Sequence, residues 1–339
     1  MITLEEYVEC IQGYQIIDCV VRNKDYFHFV GRNIAEGEKA GVMSEGKVTK
    51  REIGFYNNQP INKKFGWRDF INFSTTYVGA AKTKDENPVL FIDSQRQVFS
   101  KGNRNGYKDM ESPIPVGKEG PMRGIVCRVR MIGGRLYVCG GGRSVCRRVG
   151  VNDWESFCYD LPVPTAKEYD DSAKRSAMLF EDIDGFNEAD MVVVGGKGVV
   201  WQLQGKSWRQ VAFPSNMYLH SVCCGGDGHV YIGAQSGTIF KGRGDQWKMI
   251  HRGQFTLPFK DMVWHQGQLW CTSDYGLWTL QGGELVQADV PSEIYVCAGN
   301  LSVGDGVMLM AGTHGAAFHD GQRWQLIFNQ HAMEQRAAG

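Results

Sequence analysis

The eight histidines are the first residues to test for catalytic or metal-binding chemistry. None of them belongs to an HxH or HExxH motif, the spacings that bring two imidazoles onto one metal ion. The chain also lacks a GxSxG motif, which would mark a nucleophilic serine on a sharp turn. We therefore predict no catalytic residues and no metal ligands.

Two further stretches have the composition of ligand-binding loops. Asp182, Asp184 and Asp190 lie within residues 181–190, but their spacing departs from the EF-hand pattern, so an exposed acidic loop is expected and a calcium loop is the alternative. The glycines at 140–142 follow one predicted strand and lead into another. No helix N-terminus is available there for a phosphate, and we predict no cofactor.

Bulk composition narrows the class of partner. The formal net charge is +0 and the pI is about 7.1, which argues against binding to nucleic acid or to another polyanion. No apolar run approaches a membrane span, and the N-terminus carries acidic residues rather than a secretion signal. The ten cysteines form no CxxC pair. We predict a cytoplasmic protein with reduced, buried thiols that does not bind membranes.

A repeat in the sequence predicts the strands and turns that would position the polar residues. Four short apolar runs, separated by Gly-containing turns, occur three times between residues 219 and 330. Equivalent positions in the second runs are Gly233, Thr272 and Gly312, which are 39 and 40 residues apart. Four short strands at about 40-residue spacing are typical of a β-propeller blade. The tight turns leave no room for helices between neighbouring strands.

Four less regular copies precede these three, which predicts an all-β, seven-bladed β-propeller of four-stranded antiparallel blades. The predicted domains are a short N-terminal helix packed on the propeller (residues 1–13), a single propeller (14–330) and a flexible tail (331–339). Thr3 and Glu6 have capping-box spacing for that helix. In blade one the third and fourth strands are predicted at 40–45 and 48–55. Blade two is predicted at 70–78, 88–93, 97–101 and 107–111, and blade four begins with a strand at 177–180.

The repeats resemble β-propellers of the WD40-like and Asp-box-like kinds over residues 14–330. Trp208-Arg209, Trp247-Lys248 and Trp324-Gln325 stand where WD40 blades usually have Trp-Asp. Ser273-Asp274-Tyr275-Gly276-Leu277-Trp278 is similar to a contracted Asp box. The resemblance is architectural, so it implies the fold and leaves the function to the loops.

Loop lengths indicate which face would bind a partner. Second-to-third turns and blade-to-blade links open on one face, and the long links are predicted there, at 56–69, 112–123, 160–176 and 253–259. Long loops on a rigid scaffold commonly carry recognition. The candidate partner-binding residues are Arg32, Tyr56, Trp67, Arg68, Arg143, Tyr169, Asp170, Asp171, Lys197, Gln235, Asp274 and His314.

The function predicted from this pattern is non-enzymatic protein binding by a propeller that is a monomer on its own. An irregular propeller without catalytic motifs resembles bacterial immunity proteins, which implies that the partner is a toxin domain. Two alternatives stay open. One is a carbohydrate-active hydrolase or lyase with a carboxylate pair in the channel mouth, and the other is a scaffold subunit of a larger assembly.

Overall fold

The computed structural model describes residues 2–82, 88–101 and 110–338. They form seven four-stranded antiparallel sheets, and within each sheet the strands are neighbours in chain order. The first strand of blade one packs against blade seven, which closes the ring. The predicted seven-bladed β-propeller with a short N-terminal helix is confirmed.

The first four blades contain sixteen strands, including several with insertions between them. They are β1 (Tyr14–Asn23), β2 (Tyr26–Asn33), β3 (Lys50–Tyr56) and β4 (Phe65–Phe70); β5 (Thr76–Ala80), β6 (Val89–Asp93), β7 (Val98–Lys101) and β8 (Met110–Glu111); β9 (Val126–Ile132), β10 (Arg135–Gly140), β11 (Ser144–Gly150) and β12 (Asp153–Ser156); β13 (Asp182–Asn187), β14 (Asp190–Gly195), β15 (Val199–Gln204) and β16 (Ser207–Gln210).

The last three blades follow the regular repeat read from the sequence. Their strands are β17 (Leu219–Cys224), β18 (Val230–Ala234), β19 (Ile239–Arg243) and β20 (Gln246–His251); β21 (Asp261–His265), β22 (Gln268–Ser273), β23 (Gly276–Gln281) and β24 (Glu284–Gln287); β25 (Asn300–Gly304), β26 (Val307–Gly312), β27 (Gly315–His319) and β28 (Trp324–Asn329). The helices are α1 (Leu4–Cys10), α2 (Ile34–Lys39), α3 (Ala166–Asp170), α4 (Ser172–Ala177), α5 (Ser292–Tyr295) and α6 (Gln330–Ala338), with 3₁₀ helices at Val42–Lys47 and Gln235–Gly237.

Blade one differs from its prediction. Residues 40–45 and 48–55 were assigned to its third and fourth strands, but the first of these segments overlaps a 3₁₀ helix and the second overlaps β3. The fourth strand is β4, inside the stretch predicted to be a link. Because β4 is an outermost strand in which only Phe70 is buried, its sequence lacks the apolar pattern of an inner strand. Blade two consequently begins at Thr76 rather than at Phe70.

The first strand of blade four was also misplaced. Residues 177–180 precede the strand, and the predicted acidic loop at 181–190 contains β13. Its aspartates point toward the central channel, where arginines and backbone N–H groups bind them, so the strand has few apolar residues. In blade two only Met110–Glu111 of the predicted fourth strand is described, and residues 107–109 lie outside the described residues, as do 83–87 of the loop before β6.

Recurrent glycines at the ends of second strands have a common physical cause. A Cβ at Gly140, Gly195 or Gly312 would overlap a backbone carbonyl oxygen of the segment that enters the first strand of the same blade. Two backbones therefore meet there at a distance that only glycine permits. This explains why the repeat is so clearly marked in the sequence.

Adjacent inner strands are joined by a recurring hydrogen bond. At three seams, a carboxylate in the first strand of one blade accepts a backbone N–H from the first strand of the next. The bonds run from Val78 N to Asp18 (2.8 Å), from Val222 N to Asp182 (2.9 Å) and from Leu301 N to Asp261 (3.1 Å). Asn300 completes the ring by donating to the Ile17 carbonyl at 2.9 Å.

Both ends of the chain meet at the seam between blades seven and one. Helix α1 has the predicted capping box, in which Thr3 Oγ1 accepts the Glu6 N–H at 3.2 Å. Its buried Tyr7 shares a core with Phe328 and with Met333 of α6. Residues 330–338 form helix α6, within the stretch that the sequence predicts to be a flexible tail. Over the described part of the chain, no helix has the length and apolar character to cross a bilayer.

Candidate functional site

One end of the ring collects the second-to-third turns of all blades and the links between blades. We call this end the turn face. Since strands alternate in direction, β2 ends there, β3 begins there, and every link enters its first strand there. Nine of the twelve predicted residues lie on it: Arg32, Arg143, Tyr169, Asp170, Asp171, Lys197, Gln235, Asp274 and His314.

The other three predicted residues lie elsewhere because β4 had been read as a link. Tyr56 ends β3 at the opposite end of the ring, with its ring edge-on to Tyr26 at 5.4 Å. Trp67 and Arg68 are in the outer strand β4. The Trp67 ring stacks on the guanidinium of Arg51 at 3.9 Å. Their predicted location in a turn-face link is therefore wrong.

Around blade three, the second-to-third turn is tied to the following link. Arg143 Nη2 lies 3.0 Å from Glu168 Oε1 of α3. The Thr165 backbone N–H, and then Arg143, lower the pKa of Glu168 to about 2, so the carboxylate stays charged. Tyr169 donates its hydroxyl to the Arg123 carbonyl at 3.4 Å and leaves 40% of its surface exposed. This corner is fixed, yet it presents an aromatic ring to solvent.

The remaining turn-face residues differ in how far they are engaged. Asp170, Lys197, Gln235 and His314 are exposed. Asp171 accepts an amide N–H of α4 at 3.2 Å and so caps that helix. Exposed side chains on short turns of a rigid ring can contact a partner with little ordering cost.

Arg32 and Asp274 are already paired within the chain. Arg32 forms a fork with Glu45, at 2.9 Å from Nε and 2.7 Å from Nη2. Asp274 lies 3.0 Å from Lys260 Nζ. Next to Asp274, the Tyr275 side chain is 71% exposed. Large exposed aromatics are frequent anchors in protein interfaces.

Exposed apolar side chains concentrate on the turn face. Of the sixteen large hydrophobic residues that are exposed in the described part of the chain, nine lie in second-to-third turns or links: Ile71, Val116, Ile125, Tyr159, Val163, Tyr169, Leu257, Tyr275 and Val296. Among described residues of the opposite turns, Ile61 is the one such side chain. Exposed apolar side chains are therefore more numerous on the turn face than at the opposite end of the ring.

The central channel contains largely buried charges that the sequence did not reveal. We call Arg128, Arg130, Asp182 and Asp261 the hub cluster. Arg128 lies 3.1 Å from Asp182 and 2.5 Å from Asp261, which joins blade three to blades four and six. Arg130 contacts the same two carboxylates at 2.9 and 3.2 Å. Burial alone would lower the pKa of Arg128, but the two aspartates outweigh it and raise that pKa.

Two more aspartates line a cavity of about 180 Å³ beside the hub cluster. Asp18 and Asp184 accept backbone N–H bonds, and burial raises the pKa of each to about 6. The sequence signal for the channel carboxylates is the recurrence of aspartate in first strands, at positions 18, 182 and 261, which does not include Asp184.

The predicted acidic loop contributes to these contacts instead of facing solvent. Asp182 belongs to the hub cluster, Asp184 lines the cavity and Asp190 pairs with Arg243. Over the residues that the structure describes, no group of three or more His, Cys, Asp or Glu side chains is arranged to hold a metal ion.

The blade count, the strand order and the loop-rich turn face define the class as a WD40-like seven-bladed β-propeller. Solved propellers share the fold at low identity. The WD40 domain of Doa1 has a TM-score of 0.56 at 11% identity and covers 89% of this chain and 95% of its own. YCF48 bound to D1 peptide has a TM-score of 0.58 at 12% identity and covers 91% and 94%. These likenesses show the fold.

The particular family is shown by a sequence relative. Immune protein Tsi7 of Pseudomonas aeruginosa is 32% identical over 241 residues, which cover 70% of this chain and 75% of that protein. The chain therefore belongs to the Tsi7 immune-protein family. No protein-family profile matches it.

Proposed function

We propose that this chain is a non-enzymatic immunity protein that binds a toxin domain through its turn face and neutralises it. The observation that carries the proposal is membership of the Tsi7 immune-protein family. The concentration of exposed apolar side chains on the turn face supports this face as the contact surface. We place the complex in the cytoplasm, with residues 14–330 acting as one unit that is monomeric before it binds.

Neutralisation by binding, without chemistry, is supported by the state of Asp182 and Asp261, the two carboxylates of the hub cluster. Asp182 and Asp261 are each held by two arginines and by backbone N–H groups. Carboxylates fixed in this way are poorly suited to deliver or accept a proton. Neutral overall charge argues against a nucleic-acid ligand.

The test uses two lysines at opposite ends of the same strand. Lys197 lies in the turn before β15 on the turn face, and Lys206 lies in the turn after it on the opposite face; both are exposed. The product of the open reading frame next to this gene, tested as the candidate toxin, would be purified in an inactive form and titrated against each charge reversal. We expect Lys197→Glu to weaken binding about tenfold or more and Lys206→Glu to leave it unchanged.

Protection of bacteria that express the active toxin is the second readout. Wild-type protein and Lys206→Glu should restore growth, and Lys197→Glu should restore it less. Lack of both binding and protection with wild-type protein overturns the function, whereas loss with Lys206→Glu alone places the interface on the opposite face.

A further inference from the structure

A groove between blades one and two opens on the turn face. It has a volume of about 980 Å³. Its walls are the segment between β2 and β3, the link from β4 to β5 and the turn from β6 to β7. This volume lies at the upper end of the range for specific ligand sites, about 300–1,000 Å³. We propose that the groove binds an extended, uncharged segment of the toxin's polypeptide chain, a proposal that rests on the proposed function.

The charged groups of the groove wall are satisfied within the protein. Glu45 accepts the fork of Arg32 and also lies 3.0 Å from the buried Lys50 ammonium. Asp93 is 1% exposed and accepts backbone N–H bonds from Ser74, Gln95 and Gln97 at 2.8, 2.9 and 2.7 Å. A phosphate or an acidic segment would have to break these pairs to find a cation, which disfavours charged ligands.

Neutral polar groups supply the hydrogen-bonding capacity that remains. The side chains of Asn72, Ser94, Gln95 and Gln97 line the groove and make no hydrogen bond to another described residue. Asn72 belongs to the link between β4 and β5, and the other three belong to the turn between β6 and β7. Each amide offers both a donor and an acceptor, which matches the alternating N–H and C=O groups of an extended main chain.

An apolar pocket adjoins the groove and favours a polypeptide over a sugar. The pocket has a volume of about 480 Å³ and shares Asn72 with the groove. Its wall includes Ile71, which is 60% exposed, and the stacked rings of Phe70 and Phe99, 5.0 Å apart. A segment that bonds through its backbone and inserts one apolar side chain satisfies both depressions. Arg68 also lines this pocket, which gives one residue predicted from the sequence a place near the interface.

The experiment compares a groove variant with a matched amide variant. The double variant Gln95→Ala/Gln97→Ala removes two amides from the groove. The control Gln281→Ala removes an exposed amide at the end of β23 that lies away from the turn face. Calorimetric titration with the inactive toxin domain should show about tenfold weaker binding for the double variant and no change for Gln281→Ala. The loss should be the same at low and high salt, because no ion pair is removed.

A variant with a larger side chain in the groove, thermal melting and a glycan array complete the test. Ser94→Trp should block the groove and weaken binding in the same way, and thermal melting identifies variants that have failed to fold. A toxin that binds and is neutralised equally well by all folded variants overturns the groove proposal while the proposed function stands. Specific capture of a glycan from an array, lost in the double variant while toxin binding is kept, overturns it in favour of a sugar site.

Discussion

Replacing Asp261 or Asp18 by Asn separates two contributions to the stability of the ring. Both carboxylates accept the N–H of the following residue, at 3.1 and 2.8 Å, and an N–H of the next blade, at 3.1 and 2.8 Å. Asp261 alone of the two also pairs with Arg128 and Arg130. Each substitution removes one charge with little change of shape, so the difference between them measures the ion pairs.

The two substitutions are expected to change the free energy of unfolding by very different amounts. Asp261→Asn leaves Arg128 and Arg130 sharing Asp182, and breaking such a buried pair costs about 3–5 kcal/mol. Burial raises the pKa of Asp18 from 3.8 to about 6. That rise corresponds to about 3 kcal/mol spent on keeping Asp18 charged at pH 7. Asn avoids this cost, but its amide nitrogen cannot accept one of the two backbone N–H bonds. An unsatisfied buried N–H costs about 1–3 kcal/mol, so Asp18→Asn should leave stability unchanged or raise it by up to about 2 kcal/mol.

Urea unfolding followed by tryptophan fluorescence and by circular dichroism measures both changes. Because the folded pKa of Asp18 is raised, its favourable contribution is complete below pH 4 and is lost as the pH rises through about 6. The advantage of Asp18→Asn over wild type should therefore shrink as the pH is lowered from 7 to 4. Equal losses of stability for both variants at pH 7 would refute the reasoning.

Two further predictions concern the packing of single side chains. His265 Nε2 lies 3.0 Å from His319 Nδ1, and burial, followed by the charge of His319, lowers the pKa of His265 to about 4. The contribution of His265 to stability should therefore fall as the pH drops from 6.5 towards 4, and the stability of His265→Gln relative to wild type should rise over that range in urea titrations; an unchanged difference between the two proteins would contradict the assignment. Gly195→Ala places a Cβ against the Leu179 carbonyl and should cost about 2–4 kcal/mol in thermal unfolding, while Gly150→Ala, which meets open space, should cost less than about 0.5. Similar costs for the two glycines would show that close backbone approach does not explain the repeat.

The fold could be predicted because its most constrained positions carry a distinctive residue. Gly140, Gly195 and Gly312 recur where two backbones approach too closely for a side chain. Tight turns follow at regular intervals, and together these features fix the number of blades without any knowledge of the packing.

Two strands escaped prediction for opposite physical reasons. Strand β4 lacks the pattern of a buried strand because its outer position leaves Trp67, Arg68 and Asp69 exposed, and β13 is polar because arginines and backbone amides in the channel bind its aspartates. An apolar pattern identifies strands that bury hydrocarbon, and neither strand does so along its length. The pairing of Arg128 with Asp261 joins blades three and six across the channel, which the linear sequence does not encode locally.

The sequence could predict which face of the propeller carries the candidate site, but not which of its polar side chains are free to contact a partner. Strand alternation alone placed Lys197 and His314 on the turn face. Whether a charged side chain is free depends on its neighbours in space, and Arg32 is held by Glu45. The neutral groups of the blade 1–2 groove, such as Gln95, were missed because polar turn residues look alike in a sequence.

The bridge from Arg128 to Asp261 spans 133 residues of sequence. During synthesis, blade three therefore leaves the ribosome well before one of its two counterions exists. Until blade six is made, Arg128 has only Asp182 as a partner from the hub cluster. The addition of blade six is thus the step that supplies the second carboxylate to the middle of the protein, so a nascent chain stalled before residue 261 should leave Arg128 and Arg130 with Asp182 alone.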